Sequence, residues 1–296
     1  MGCSCLNRWT YNVAFRQLWL SEEPGINAWR KQFLNLPPIP KQGLGSLEIM
    51  NRNQVPILIG ASVLTCGPKG RRPGDYPANI HIDGFIFQPD VEENTIQPIV
   101  VEFLNNPKLS NIPVDYLGFG SMPAPDPYQL LELARDTCKL AKCRAVLITG
   151  WSQIENNAQY QKFIKDNEDL LCIVKAIPHS YLFPKMKAIV HHCGIGTTAS
   201  ALKAGIPQVC CPFMLDQPHN AKMVKNLGVA SAIVPYNNSI TASKLAKALR
   251  IILDENAVTG VLHTKAKQLG KQITDESKDV LDKFVNYVIT GAKILE

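Results

Sequence analysis

The sequence contains no long apolar run, no internal repeat and no low-complexity tract, and we expect no secretory leader. With 46% hydrophobic and 19% charged residues among 296, it has the composition of a soluble globular protein with one large domain or two smaller ones. Lys and Arg are dispersed rather than clustered with aromatic residues, so the net charge of +6 does not indicate a nucleic-acid partner. An anionic small ligand or a membrane surface stays compatible with this charge.

Cysteine and histidine pairs at the spacing of a zinc site are also absent. The nine cysteines lie scattered through apolar segments, and neither Cys3-x-Cys5 nor the adjacent Cys210 and Cys211 forms a zinc motif. We therefore expect reduced thiols, no structural metal and a cytoplasmic protein, either free or peripherally bound at membranes. The Met-Gly start would permit myristoylation, but Leu6 stands where the motif requires Ser or Thr, which favours an unmodified terminus.

What the sequence does contain is a regular alternation of short apolar strands and amphipathic helices from Val114 to Leu253. Asp126, followed by Pro127, and Thr241 are placed to cap two of the helices. The alternation predicts an α/β fold with a doubly wound, Rossmann-like parallel sheet, and residues 88–113 before it read as a linker. The pattern elsewhere predicts a helix ending before Pro37-Pro38, a buried strand at Val55 to Val63, and helices at Ala257 to Thr274 and Ser277 to Ile289.

The segment from Ile189 to Thr198 (IVHHCGIGTT) is an apolar strand that runs into a Gly-x-Gly turn opening a helix. Glycines allow backbone N–H groups to converge on an anion, and the helix N-terminus adds about half a positive charge. A histidine at this place can donate to a phosphate oxygen, and Thr197 and Thr198 offer hydroxyls. The pattern predicts a diphosphate site, although by itself it equally fits a tight turn with two hydrogen-bonded histidines.

A second polar motif, Asp216-Gln217, follows the next buried strand, Gln208 to Cys211. Open α/β sheets bind ligands beyond the carboxyl ends of their strands, and a carboxylate beside an amide suits adjacent sugar hydroxyls. Asp216 also has an alternative interpretation as the cap of a helix that includes Asn220.

Together the two motifs resemble the donor half of the GT-B, family 1 glycosyltransferases, most closely the sterol 3-beta-glucosyltransferases and their bacterial antibiotic-modifying relatives. That family carries a His-His-Gly-Gly-x-Gly-Thr-Thr turn and a downstream Pro-Phe-x-x-Asp-Gln loop. Here Cys193 replaces the first Gly of the turn. The plant enzymes of the family also have His-Cys-Gly at this point, so the departure is one that the family tolerates.

Further segments extend the resemblance from about Ile26 to Lys283: Gly118 to Met122, Thr149 to Ser152, Pro178 to Pro184, Asn27 to Arg30 and Arg72 to Pro77. The resemblance implies three groups of binding residues. The diphosphate group is Ser121, His192, Gly194, Gly196, Thr197 and Thr198. The uridine group is Trp151, Ile177 and His179, and the sugar group is Asp216 and Gln217.

The resemblance also implies three parts of the chain: residues 1–97 as a remnant of an acceptor domain with its linker, 98–275 as the donor-binding domain, and 276–296 as a helix crossing back towards the acceptor domain. The family places its catalytic base in the N-terminal domain, so no catalytic residue is expected in this chain. We accordingly expect a truncated product, a fragment or one half of a split enzyme whose acceptor domain is a separate chain.

The implied reaction is inverting transfer of glucose from UDP-glucose to a sterol or related lipid hydroxyl, with a UDP-sugar and that acceptor as partners. No cofactor beyond the donor substrate and no metal are expected, because the donor loops contain no Asp-x-Asp. A non-catalytic nucleotide-sugar-binding protein or an inactive homologue is the alternative. A dinucleotide oxidoreductase is disfavoured, because no Gly-x-Gly-x-x-Gly opens the first strand-helix unit.

Overall fold

The computed structural model describes residues 4–66, 71–74, 76–120, 126–152, 154–237, 239–254 and 257–294. The α-helices are α1 (Ser4–Leu34), α2 (Ser46–Arg52), α3 (Val63–Cys66), α4 (Pro98–Leu104), α5 (Pro127–Ala141), α6 (Gln161–Asp166), α7 (His179–Leu182), α8 (Ile195–Ala204), α9 (Gln217–Asn226), α10 (Ala242–Leu253), α11 (Ala257–Glu276) and α12 (Val280–Ile294). The strands are β1 (Ile57–Ile59), β2 (Ile80–Ile82), β3 (Val114–Gly118), β4 (Arg144–Ile148), β5 (Leu171–Val174), β6 (Ile189–His191), β7 (Gln208–Cys210) and β8 (Ala230–Ile233).

The chain divides into two compact units, residues 1–86 with 278–296, and residues 87–277. In the first unit, β1 and β2 pair in parallel, and α12 returns to this unit, where Tyr287 stacks on His81 with ring centroids 3.7 Å apart. α1 is one long helix that ends before Pro37, as predicted, and Trp19 anchors it by donating its indole N–H to the Pro40 carbonyl at 3.1 Å. The interpretation of residues 1–97 as an acceptor-domain remnant stays a prediction.

The second unit contains a six-stranded, all-parallel sheet in the order β5-β4-β3-β6-β7-β8. The predicted doubly wound parallel sheet is confirmed. The chain builds outward from β3 to β5 on one side, then returns to β6 beside β3 and builds outward to β8 on the other. The carboxyl ends of β3 and β6 therefore flank the switch point of the sheet, where open α/β sheets form a ligand crevice.

Both faces of this sheet are buried, because successive residues of each strand point to opposite sides. Leu117 of β3 packs with α5 and α10, whereas its neighbour Tyr116 packs with α4 and α7 on the other face. Two helix starts agree with the sequence: the Asp126 carboxylate accepts from the backbone N–H groups of Tyr128 and Gln129, and the Thr241 hydroxyl accepts from that of Lys244.

The prediction of a linker at residues 88–113 is wrong in one part, because this stretch contains α4. Val100 and Phe103 of α4 are buried against the sheet. The Phe103 carbonyl accepts a 2.8 Å hydrogen bond from the buried Arg144 guanidinium, which also lies 3.9 Å from the Phe103 ring centroid. The segment looked like a linker because it is acidic and rich in turn residues. Its apolar positions become a buried face only once the sheet is present.

Among the described residues, no helix combines the length and the apolar character needed to cross a bilayer.

Candidate functional site

The candidate site lies at the carboxyl edge of the six-stranded sheet, around the turn between β6 and α8. β6 ends at His191, and α8 begins at Ile195 with Gly194 as its extended N-cap residue. The first turn of α8 contains no acidic side chain. Its N–H groups and the positive end of the helix dipole are therefore unopposed within the helix, which is the geometry that anion binding requires. That the turn binds a diphosphate stays a prediction.

His191 is completely buried and supports the turn from below. Its Nδ1 accepts a hydrogen bond of 3.2 Å from the Cys193 backbone N–H, so Nε2 carries the proton and donates to Gln208 Oε1 at 2.8 Å. Burial lowers the pKa of His191 to about 3, and the ring is therefore neutral at physiological pH. Of the two adjacent histidines, this one has the structural role that the sequence left open.

His192 lies at the edge, with its ring between two glycines. A Cβ atom on Gly120 would lie 2.8 Å from His192 Nε2, and one on Gly194 would lie 2.4 Å from it, so neither position accepts a larger residue unless the ring moves. Burial lowers the pKa of His192, while the Gly118 backbone and the Asp216 carboxylate act in the opposite direction. A phosphate group beside this ring would also favour its protonated form.

The other residues predicted to bind the diphosphate differ in whether their polar groups already make hydrogen bonds within the protein. The Thr198 hydroxyl donates to the Gly194 carbonyl at 2.9 Å and is buried, so its hydrogen serves the helix. Thr197 is half-buried at the open end of α8, and a Cβ atom on Gly196 would meet no atom of the described residues within 4 Å. Ser121 lies outside the described residues. Its role stays a prediction, as do those of the residues that the structure does describe.

The loop that follows β7 carries the two predicted sugar residues. Asp216 is exposed and is the N-cap residue of α9 by position, as the alternative interpretation had it, but its carboxylate makes no capping hydrogen bond to a backbone N–H of the helix. The Gln217 side chain is buried, and its Oε1 accepts from the N–H groups of Phe213 at 2.9 Å and Met214 at 3.1 Å. Gln217 therefore shapes this loop with its oxygen, which leaves the amide nitrogen as its group for a ligand.

Asn220 connects this loop to the turn between β6 and α8, residues 192–194, which we call the phosphate turn after its predicted ligand. Sequence reasoning assigned Asn220 no role in the site. Its Nδ2 donates to the Cys193 carbonyl at 2.9 Å and to Asp216 Oδ2 at 2.8 Å. The available signal was its position four residues after Asp216, which places the two side chains on one face of a helix.

The three residues predicted to contact uridine follow β4 and β5. Trp151 is 72% exposed, on a turn whose Gly150 N–H donates to the Lys175 carbonyl just beyond β5. Ile177 is half-buried. His179 opens α7 and stacks on Phe183 at 4.3 Å; burial and the nearby His192 lower its pKa to about 4.

The three predicted groups of binding residues follow one another along the carboxyl edge of the sheet in the order of the parts of a UDP-sugar. The strand order places the uridine residues after β5 and β4, the phosphate turn after β6, and Asp216 after β7. Adjacent strands are about 4.8 Å apart, so these groups form a line that an extended ligand could follow.

One group of metal-ligand types exists among the described residues: His191, Cys193 and Cys210, all buried, with their ligand atoms within 4.8 Å of one another. Both ring nitrogens of His191 already take part in hydrogen bonds. The hydrogen bond with Cys193, followed by burial, raises the pKa of Cys210 well above its usual value. A metal at this group would therefore have to displace these hydrogen bonds.

Residues 154–276 match the family described as the erythromycin biosynthesis protein CIII-like, C-terminal domain. The sterol 3-beta-glucosyltransferase of Komagataella phaffii is 30% identical over 280 residues, which cover 92% of this chain and 21% of that protein. A sterol 3-beta-glucosyltransferase of Arabidopsis thaliana is 30% identical over 274 residues, covering 91% and 38%. The chain thus spans well under half the length of these relatives.

Solved structures show the same fold. A glycotransferase of kitacinnamycin superposes with a TM-score of 0.63 at 13% identity, over 99% of this chain and 67% of that one. A UDP-glucose:anthocyanidin 3-O-glucosyltransferase in complex with UDP superposes with a TM-score of 0.52 at 17% identity, over 69% and 45%.

The fold and the matched segment point to one class: the second unit has the Rossmann-like fold of a GT-B glycosyltransferase domain, and residues 154–276 match the family named above. Over most of its length, the chain is similar in sequence to the sterol 3-beta-glucosyltransferases. The resemblance predicted from the sequence motifs is confirmed.

Proposed function

We propose that this chain binds a UDP-sugar along the carboxyl edge of its six-stranded sheet and supplies the donor half of a glycosyltransferase. In the reaction that we propose, glucose passes from UDP-glucose to the hydroxyl of a sterol or related lipid with inversion at the anomeric carbon. The observation that supports the proposal is the strand order, which places the residues predicted to bind uridine after β5 and β4, those for the diphosphate after β6 and those for the sugar after β7.

The phosphate turn provides the chemistry of the leaving group. In an inverting transfer, the acceptor oxygen bonds to the anomeric carbon and loses its proton to a base, while UDP departs with the electrons of the broken bond. Negative charge then grows on the diphosphate. The N-terminus of α8 and the His192 ring are the groups that would stabilise it, so we propose that no metal is required. We assign the base to no residue of this chain.

Asp216 supports the proposal at the sugar end. It is exposed, it bonds to no backbone N–H of α9, and it lies close enough to His192 to act on the pKa of that ring. A free carboxylate oxygen beside the diphosphate suits sugar hydroxyls, which donate hydrogen bonds. The amide nitrogen of Gln217 adds a donor next to it.

Donor binding is tested by calorimetry on the whole chain with UDP and UDP-glucose in a buffer containing EDTA. We expect both to bind. Asp216→Ala should weaken UDP-glucose binding about tenfold or more while changing UDP binding little, because UDP has no hexose hydroxyls. Asp254→Ala, which removes an exposed carboxylate after α10, is the matched control and should change neither. Absence of UDP binding by the folded chain would refute the proposal.

Transfer is tested separately, by incubating the chain with UDP-glucose and a sterol and detecting steryl glucoside by mass spectrometry. Product that disappears in Asp216→Ala would support an enzyme. Donor binding without product would favour the alternative, a non-catalytic nucleotide-sugar-binding protein, or a requirement for a separate acceptor-domain chain. Adding candidate partner chains to the same reaction distinguishes these two.

A further inference from the structure

Asn220 holds two parts of the candidate site together from below. It lies in α9, one helical turn after Asp216, and its side chain is only 6% exposed. Its Nδ2 donates one hydrogen bond to the Cys193 carbonyl at 2.9 Å and another to Asp216 Oδ2 at 2.8 Å. A side-chain amide has two N–H donors, so both of them are used.

The bond to Cys193 reaches the phosphate turn at a strained position. Cys193 has a φ of +67°, a left-handed conformation that is unfavourable for a residue with a Cβ atom. Its N–H is held by His191 and its carbonyl by Asn220. The two hydrogen bonds together hold the backbone just before Gly194, where α8 starts.

The hydrogen bond from Asn220 to Asp216 opposes a second conformation of the Asp216 carboxylate. An Asp at the start of a helix usually turns its carboxylate onto the backbone N–H groups of the first turn. Asp216 does not do so, and the Asn220 amide is the partner that holds its Oδ2 instead. The other carboxylate oxygen is thereby left for a ligand.

We infer that Asn220 is a positioning residue that keeps Asp216 turned towards the sugar and in fixed relation to the phosphate turn. The inference rests on the proposed function, because it gives Asp216 the sugar as its ligand. Loss of the Asn220 amide should leave the Asp216 carboxylate free to turn away, for example to the His219 N–H, since Pro218 in the first turn of α9 has none. It should also allow the Cys193 backbone to relax. Binding of the sugar should then suffer more than binding of the diphosphate.

The test compares UDP and UDP-glucose affinities in Asn220→Ala, Asp216→Ala and the double variant. We expect Asn220→Ala to weaken UDP-glucose binding about tenfold and UDP binding by no more than about threefold. In the Asp216→Ala background, Asn220→Ala should affect both ligands equally, because no carboxylate remains to be oriented. Asn226→Ala, on the exposed end of the same helix, is the matched control and should leave both affinities unchanged.

The ratio of the dissociation constants for UDP-glucose and UDP distinguishes a positioning role of Asn220 from a purely structural one. Partial unfolding lowers the number of sites and affects both ligands alike, so it leaves this ratio unchanged. If Asn220→Ala does not fold, the similarly sized and uncharged Asn220→Leu tests the same point, since it also removes the donors and should shift the ratio in the same direction. An unchanged ratio in whichever variant folds would overturn the inference.

The inference and the proposed function fail in different ways. If Asp216→Ala weakens UDP-glucose binding selectively but the Asn220 variants do not, the inference is wrong and the proposed function stands. The same conclusion follows if the effect of Asn220→Ala on the ratio persists in the Asp216→Ala background. If the unaltered chain binds neither ligand, both are wrong.

Discussion

The buried core of the second unit and the carboxyl edge of its sheet contain the same residue types, histidine and aspartate, in different roles. His191 is completely buried with both ring nitrogens bonded, whereas His192, the next residue, lies at the edge between two glycines. Asp115 is buried within β3, whereas Asp216 is exposed in a loop. Residue type therefore determines which hydrogen bonds a side chain can make. Burial determines whether its partners are other protein groups or a ligand.

The buried carboxyl group of Asp115 should have the largest effect on stability. Burial raises its pKa to about 7 against 3.8 in an unfolded chain, although Cys143, the Ala188 backbone and Lys187 act in the opposite direction. Below pH 4 both states are protonated. Between about pH 4 and 7 only the unfolded state ionises, so stability falls as pH rises, by up to about 4 kcal/mol in total.

Urea unfolding of the chain and of Asp115→Asn at pH 5 and pH 8 measures this effect. Asn carries no charge at either pH, so the stability of the variant relative to the unaltered chain should rise from pH 5 to pH 8. The buried His191 and His179 contribute an opposite pH dependence, but it is common to both chains and cancels in this comparison. A variant that keeps the full pH dependence would mean that Asp115 is not its source, and the contrast between the buried and the exposed Asp would then fail.

His191→Ala should be the next largest change. It removes a buried ring and leaves the Cys193 N–H and Gln208 without their partner, and such losses typically cost about 3 kcal/mol of stability. Thermal unfolding should show a marked decrease in Tm. An unchanged Tm would indicate that the turn does not depend on its buried histidine.

His192→Ala should have the opposite profile. The side chain is at the edge, so Tm should change little, whereas UDP binding should weaken by roughly 1.5 to 3 kcal/mol, the range for a charge-assisted hydrogen bond. Calorimetry with UDP on both histidine variants gives the comparison directly. Equal UDP affinities in His192→Ala and the unaltered chain would remove His192 from the site.

Leu215→Gly should have the smallest effect. Leu215 is 82% exposed and has a φ of +54°, so its side chain gains little from burial while its backbone is strained. Glycine relieves the strain but loses more entropy on folding, and the net gain in stability should be below about 1 kcal/mol. A loss of stability on urea unfolding would show that Leu215 makes contacts that its exposure does not suggest.

Local sequence rules predicted much of the donor domain. The alternation of strands and helices, the caps at Asp126 and Thr241, and the Gly-x-Gly turn all depend on residues close together in the chain, and the structure has them where expected. The rules failed at residues 88–113, because the buried face of α4 exists only against the folded sheet.

Side-chain direction was the part that local rules could not supply. Nothing in the His191-His192 pair indicates which ring points inward, since that depends on the alternation of β6 and on Gln208 in the neighbouring strand. Gln217 likewise reads as a ligand residue in the sequence, yet its oxygen bonds to its own loop.

By itself, the sequence determined the parallel sheet, the position of the phosphate turn and the presence of Asp216 in the loop after β7, because short-range periodicity, glycines and caps specify these features. Only the tertiary structure decided that Asn220 joins the turn to Asp216, because its two partners are 27 and four residues away in the chain and meet only where the carboxyl ends of β6 and β7 lie side by side.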